Sequence, residues 1–251
     1  MLISFFGISL HQYSRTFIQE RIRAILCGNT FCRIATIGPE FLLRARGDIA
    51  FRKNLEKADL RIADGSGISI GARLLYGAKI ERFPGADLLH DILKEAENLN
   101  RSVFFAVRTD GLSSLEAIMQ VFRARYPRLI IEGREYEIYT HEVKNGARAD
   151  DVAHNFDVIF CNFGAPEQEY FLESLRKNAK RAKLVMGVGG ACDFATGVVL
   201  RAPQVFRTFG MEWLWRLLLQ PQRWRRIWRA VIVFPFFAIR EFLHKRSSSL
   251  R

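Results

Sequence analysis

The sequence has no hydrophobic run long enough to span a bilayer. Its longest uncharged apolar stretch near the C-terminus, Ala230 to Ile239, is about half of the ~20 residues a crossing helix needs, so it can lie on a membrane but not cross one. Cysteine is scarce, with four residues (Cys27, Cys32, Cys161, Cys192) and no C-x-x-C pair, which excludes a disulfide framework and predicts reduced thiols in a cytosolic chain. The histidines (His11, His90, His141, His154, His244) are scattered, and no D-x-D pair is present to hold a divalent ion against a diphosphate, so no metal cofactor is expected. A G-x-S-x-G elbow and a Cys/His dyad are also missing. Met1 to Phe6 is apolar but has neither a basic flank nor a small-residue cleavage site, and therefore predicts a first strand and no export.

What is present is positive charge, unevenly placed. Residues 201–251 carry eleven Lys or Arg against two acids, so this stretch holds most of the net +12 of the whole chain. A basic end of this kind needs an anionic partner: phosphate-bearing lipid, nucleic acid or a nucleotide diphosphate. With 251 residues, 49% of them hydrophobic, the chain is long enough for one large α/β domain with an appendage.

Short runs rich in β-branched or aromatic residues recur at Arg33–Ile37, Leu60–Ala63, Ser102–Val107, Leu129–Glu132, Asp157–Phe163 and Lys183–Val188. Helix-length stretches separate them: Ser14–Cys27, Glu40–Lys57, Ile68–Tyr76, Ala86–Asn98, Gly111–Tyr126, Glu142–Asn155 and Pro166–Ala179. This alternation predicts a doubly wound, mostly parallel α/β sheet with a Rossmann-like core over residues 1–200. Residues 201–251 are predicted to form a basic helical appendage. There Trp213, Leu214, Leu217 and Leu218 make one apolar stripe before Pro221, and Trp224, Ile227 and Trp228 then lie beside Arg223, Arg225, Arg226 and Arg229, the composition of an interfacial anchor or of a solvated basic face.

Ligands of open α/β sheets bind beyond the carboxyl ends of the strands, which directs attention to three turns. Asp64-Gly65-Ser66-Gly67 places a carboxylate at the mouth of the sheet, with glycines that allow close backbone approach and a helix start that offers free N–H groups; Asp before Gly is also a common turn and cap. Gly164 to Glu169 brings Gln168 into the first turn of a helix, where its amide is expected to meet a sugar or uracil edge. Gly187 to Asp193 resembles a phosphate-cradling loop. It lacks the third glycine of the dinucleotide fingerprint and follows the last strand instead of the first, which weighs against an NAD-dependent enzyme. A non-catalytic basic module holding lipid or nucleic acid is the other alternative, and it would not need separate glycine turns with polar residues.

These turns belong to a longer series. Ala63 to Gly67, Arg82-Phe83-Pro84-Gly85-Ala86-Asp87-Leu88, Gly164-Ala165-Pro166-Glu167-Gln168-Glu169, Gly187 to Phe194 with Gly197 and Arg201-Ala202-Pro203, and Glu212 to Leu217 with Pro221 to Arg226 occur in order over nearly the whole chain. In this series the sequence resembles the WecG/TagA/CpsF family of bacterial glycosyltransferases (glycosyltransferase family 26). The resemblance implies an inverting, metal-independent enzyme. It would move a sugar of the N-acetylmannosamine, mannosaminuronic acid or glucose type from a UDP-sugar to a polyprenyl-diphosphate-linked saccharide in cell-surface polysaccharide biosynthesis.

By carry-over Asp64 would be the base. The substrate-binding set would comprise Thr36, Gly65, Gly67, Arg82, Asp87, Gly164, Pro166, Gln168, Glu169, Gly187, Gly189, Gly190, Asp193, Arg201, Glu212, Arg216, Arg223 and Arg226, with the last three contacting the diphosphate in place of a metal. The implied partners are the nucleotide-sugar donor, the lipid-linked acceptor and an anionic membrane surface at the inner face of the bacterial cell membrane. No nucleic acid is expected, and a homo-oligomer is compatible. Two positions depart from the family pattern: Gly38 stands where Asn is usual, which leaves the donor sugar open, and Glu167 replaces a basic residue.

Overall fold

The computed structural model describes residues 2–138 and 155–249. The helix predicted over Glu142–Asn155 lies outside these residues except for Asn155. Six strands form one sheet: β3 (Cys32–Ile37), β4 (Leu60–Ala63), β5 (Val103–Arg108), β6 (Ile131–Tyr136), β7 (Val158–Cys161) and β8 (Leu184–Gly187), in the order β4-β3-β8-β7-β5-β6. All five pairings are parallel, as the alternation of strands and helices predicts. In β5 the residues alternate between two covered faces. Val103, Phe105 and Val107 join the core beneath α1 (Arg15–Cys27), α5 (Gly85–Asn98) and α6 (Leu115–Arg125), while Phe104 and Ala106 pack with α7 (Glu167–Asn178).

The N-terminal strand is not part of this sheet. β1 (Leu2–Phe5) pairs antiparallel with β2 (Ile8–His11) across a two-residue turn in which Phe6 and Gly7 have φ of 51° and 83°. Positive φ at both turn positions matches the twist of a hairpin, and Gly7 adopts it without strain. The single helix expected over Glu40–Lys57 is two helices, α2 (Pro39–Gly47) and α3 (Ile49–Glu56). Asp48 lies between them with extended backbone, and its Oδ1 accepts the Phe51 N–H at 2.9 Å, so a local cap outweighs the continuous apolar pattern. The helix after β5 begins at Leu115 instead of Gly111, because Ser114 caps it and accepts the Ala117 N–H at 3.2 Å.

A short α8 (Ala191–Ala195) follows β8, and after residue 200 the described chain is almost wholly helical: α9 (Gln204–Thr208), α10 (Glu212–Leu219), a 3-10 turn at Pro221–Arg223, α11 (Trp224–Trp228), a π-helical turn at Arg229–Val233 and α12 (Phe234–Ser249). From α9 through the π turn no residue is buried. Anchorage comes at α12, where fully buried Phe234 packs against Phe5 and Phe6 with ring centroids 5.8 and 6.0 Å away and Glu241 accepts the Phe6 N–H at 2.9 Å. The basic segment therefore shares a hydrophobic cluster with the hairpin, α2 and α4 (Ser66–Tyr76). Among the described residues no helix is long and apolar enough to cross a membrane.

Candidate active site

The chain leaves β3 for β4 at one edge of the sheet and β5 for β6 at the other, so a crevice opens above the carboxyl ends of the central strands. A cleft of about 1540 Å³ occupies this position. It is lined by the residues that follow five of the six strands: Gly38 after β3, Asp64 after β4, Asp110 and Gly111 after β5, Asn162 after β7 and Val188 to Gly190 after β8. The C-terminal helices form its remaining wall through Glu212, Trp213, Arg216, Arg223 and Arg226.

Asp64 is held at the end of β4, where its N–H donates to the Ile37 carbonyl at 2.8 Å, and the following Gly65 has φ of 101°, a conformation that favours glycine. The carboxyl accepts a hydrogen bond from the Gly85 backbone. A Cβ on Gly85 would stand 3.4 Å from Thr36 Oγ1 and 3.9 Å from Asp64 Oδ2, so the glycine keeps this corner open. Burial pushes the Asp64 carboxyl above the usual carboxylate range, and Glu212 adds to that push; the Arg216 and Arg82 guanidinium groups and the Gly85 N–H oppose it. A carboxylate of raised basicity at the mouth of a cleft is suited to accept a proton.

Arg82 reaches across to the C-terminal segment, with Nη2 3.5 Å from Glu212 and donating to the Arg207 carbonyl at 3.3 Å. Ser66 Oγ donates to the Gly210 carbonyl at 2.8 Å, and Gly210 (φ 70°) has no room for a Cβ, which would lie 2.7 Å from that of Ser66. The Asp64 turn and the basic segment are thus latched together. Arg216 stacks over Phe194 at 4.8 Å, and Arg226 pairs with Glu40 at 2.5 Å. Burial and the neighbouring Arg226 and Arg216 charges hold the Arg223 guanidinium below its usual range, while Asp193 and Glu40 offset part of this. Cations crowded in this way favour an anion between them.

The other predicted residues divide into those facing the cleft and those behind it. Thr36, Gly65, Gly67, Arg82, Gly164, Gln168, Gly187, Gly189, Gly190, Asp193, Arg201, Glu212, Arg216, Arg223 and Arg226 line it together with Asp64. Asp87, Pro166 and Glu169 do not. Asp87 pairs with Arg201 at 2.5 Å and fixes that arginine to α5. Pro166 precedes the first residue of α7. Glu169 is buried, 3.8 Å from Arg33, itself fully buried. Gln168, expected to offer its amide to a sugar or base, has both ends engaged: Oε1 accepts from the Gly164 N–H at 3.2 Å and Nε2 donates to Glu169 at 3.1 Å. It packs under Gly187, where a Cβ would lie 2.3 Å from Nε2. The residue shapes the floor of the cleft.

Asn162 and Asp110 line the cleft and were not singled out by sequence. Asn162 Oδ1 accepts the Arg108 N–H at 2.8 Å, and Asp110 pairs with Arg108. For Asp110 the signal was available, since Asp110-Gly111 comes shortly after a predicted strand much as Asp64-Gly65 does; Asn162 was hidden because it falls inside the predicted strand Asp157–Phe163, which the structure ends at Cys161. Asp193 is oriented by Ser113, whose Oγ donates to it at 2.7 Å. Among the described residues no three His, Cys, Asp or Glu side chains gather where a metal ion could be held. The buried Cys161 and Cys192 thiols are pushed up by burial, consistent with packing roles.

A crevice at the strand ends, a basic-shifted carboxylate and a wall of guanidinium groups make a cleft suited to an anionic ligand and to proton abstraction. The profile described as "Glycosyl transferase WecG/TagA/CpsF family" matches residues 3–248, and the chain belongs to this glycosyltransferase family. It is also 29% identical over 235 residues to the N-acetylglucosaminyldiphosphoundecaprenol N-acetyl-beta-D-mannosaminyltransferase of Bacillus spizizenii, covering 93% of this chain and 88% of that protein.

Proposed function

We propose that the protein transfers an N-acetylmannosamine-type sugar from a UDP-sugar to a polyprenyl-diphosphate-linked N-acetylglucosamine, with inversion at the anomeric carbon. The relative's name supports the sugar and the acceptor. The observation that carries the mechanism is the meeting of Asp64, from the sheet, with the arginines of the C-terminal helices in one cleft.

Asp64 takes the proton of the attacking acceptor hydroxyl as its oxygen bonds to the anomeric carbon from the face opposite the leaving group. The bond from that carbon to the UDP oxygen breaks, and the electron pair leaves with UDP. Arg216, Arg223 and Arg226 stabilise the charge that develops on the diphosphate, and protonated Asp64 returns its proton to solvent. Arg82 and Arg201 hold the walls between which the sugar lies.

The enzyme works on the inner face of the cell membrane, where its acceptor is embedded. Trp224 and Trp228, each 55% exposed beside Arg225 and Arg229, suit the headgroup layer of anionic lipid. A panel of UDP-sugars offered with a lipid-diphosphate-linked N-acetylglucosamine, read by UDP release, tests the reaction. UDP-N-acetylmannosamine is expected to be turned over fastest, and absence of acceptor-dependent UDP release with every sugar would contradict the proposal.

A further inference from the structure

The cleft is not confined to the strand ends. It continues as a groove between α4 and the C-terminal helices, and its character changes along its length. On α4 the row Ser66, Ile70, Leu74 lines it, beginning two residues after Asp64. Opposite runs a second row at every fourth position, Arg223, Ile227, Val231, Pro235 and Ile239, all lining the same cavity. The α4 residues, four apart, share a helix face, and the second row is united by lining the same cavity; both rows lead away from the catalytic corner and both become apolar as they go.

The two elements lie side by side in the same direction. A Cβ on Gly67 would stand 3.8 Å from the Ala230 carbonyl and 3.9 Å from Phe234, one on Gly71 would stand 3.9 Å from Phe234, and Tyr76 meets Phe242 edge-on at 5.5 Å. The small residues make a closed floor. Above it Ile70 (55%), Leu74 (77%) and Ile239 (48%) remain exposed, an unusual cost for large aliphatic side chains gathered along one groove. From Ser66 to Leu74 the groove is ~12 Å long at the rise of an α-helix.

We propose that this groove holds the first isoprenoid units of the lipid acceptor, next to its diphosphate. The inference rests on the lipid-diphosphate acceptor proposed above. Its own support is the continuity of one cavity lined by Arg223, Arg225, Arg226 and Arg229 and, beyond Arg229, only by apolar residues as far as Ile239, which complements an amphiphile with an anionic head and a hydrocarbon tail. Hydrocarbon in the groove would remove Ile70 and Leu74 from water, and the tail would set the acceptor hydroxyl at a fixed distance from Asp64.

The experiment measures binding without sugar transfer, so its outcome is separate from that of the UDP-release assay. Farnesyl diphosphate and inorganic diphosphate are titrated onto the full chain by calorimetry. Farnesyl diphosphate is expected to bind at least ~10-fold more tightly, with a negative heat-capacity change from apolar burial. In the Ile70→Glu/Leu74→Glu double variant that advantage should vanish while inorganic diphosphate binds as before. Ile70→Ser/Leu74→Ser, which adds no charge near Arg223, should reduce the advantage in the same direction. Equal binding of the two ligands by the unaltered protein would overturn the inference, as would a farnesyl advantage that survives both double variants. Loss of anionic-vesicle binding in these variants with the farnesyl advantage intact would make the groove a bilayer contact and also overturn it.

Discussion

The two halves of the cleft are built on opposite principles. The sheet half is nearly neutral and deeply packed: β7 and β8 are buried at every position, and Asp64 is fixed by a backbone hydrogen bond that it donates to the strand beside it and by one that its carboxyl accepts from the Gly85 backbone. The C-terminal half is strongly basic, has no buried residue between Gln204 and Val233, and is held by a few contacts: the Ser66–Gly210 and Arg82–Glu212 latches, the Arg226–Glu40 pair and Phe234 in the hairpin core. The first half supplies a firmly placed carboxylate and the second supplies the positive charge. A site divided in this way can be complete only when the lightly held half is in place, and segments with few buried contacts are the ones that open most readily.

The comparison is broken most severely by neutralising Asp64, the proposed base. Asp64→Asn should lower turnover by ~10²–10⁴-fold while UDP binding, measured by calorimetry, persists. It should not destabilise the fold at neutral pH. Because burial raises the Asp64 pKa, the stability linked to its protonated form is present below the ordinary carboxylate range and lost as pH rises through the folded-state value, so a neutral Asn removes a penalty. A melting temperature at pH 7 equal to or above that of the unaltered protein is the expected result.

Next in size is the loss of a cation from the basic half. Arg223→Ala should reduce kcat by ~10²-fold with little change in melting temperature, since the proposed role of the group is to stabilise charge on the leaving diphosphate and it is not buried in the core. Phe234→Ala should give the reverse pattern. It costs about 3–5 kcal/mol of stability, seen in denaturant unfolding, because a fully buried ring is lost from between Phe5 and Phe6. The smallest effect is expected at the surface: Trp228→Ser should weaken binding to anionic vesicles several-fold, and the remaining binding should fall as salt rises.

Much of the sheet half could be read from the sequence because local pattern and fold agree there. The strand at Leu60–Ala63 ends where an apolar run meets Asp-Gly, and the same signal places the carboxylate at the strand ends. The Asp48 break in the Glu40–Lys57 stretch was hidden because the apolar positions continue through it and only the side-chain cap reveals the stop. Gln168 was harder still. Its position in the first turn of α7 is legible, but its turn inward toward Gly164 and Glu169 depends on the space beneath Gly187, a tertiary fact that no local pattern carries. In the basic half the helices and arginines were visible, whereas the docking of Phe234 against the N-terminal hairpin joins residues more than two hundred positions apart.

The central claim, that the base and the arginines form one electrostatic unit, is tested most directly by the pH dependence of kcat/KM in the unaltered enzyme and in Arg216→Gln. The Arg216 charge opposes the upward push of burial on Asp64, so its removal should move the acidic limb of the profile to higher pH as well as lowering the rate. An acidic limb that stays in place while the rate falls would mean that Arg216 does not act on Asp64, and would contradict the account.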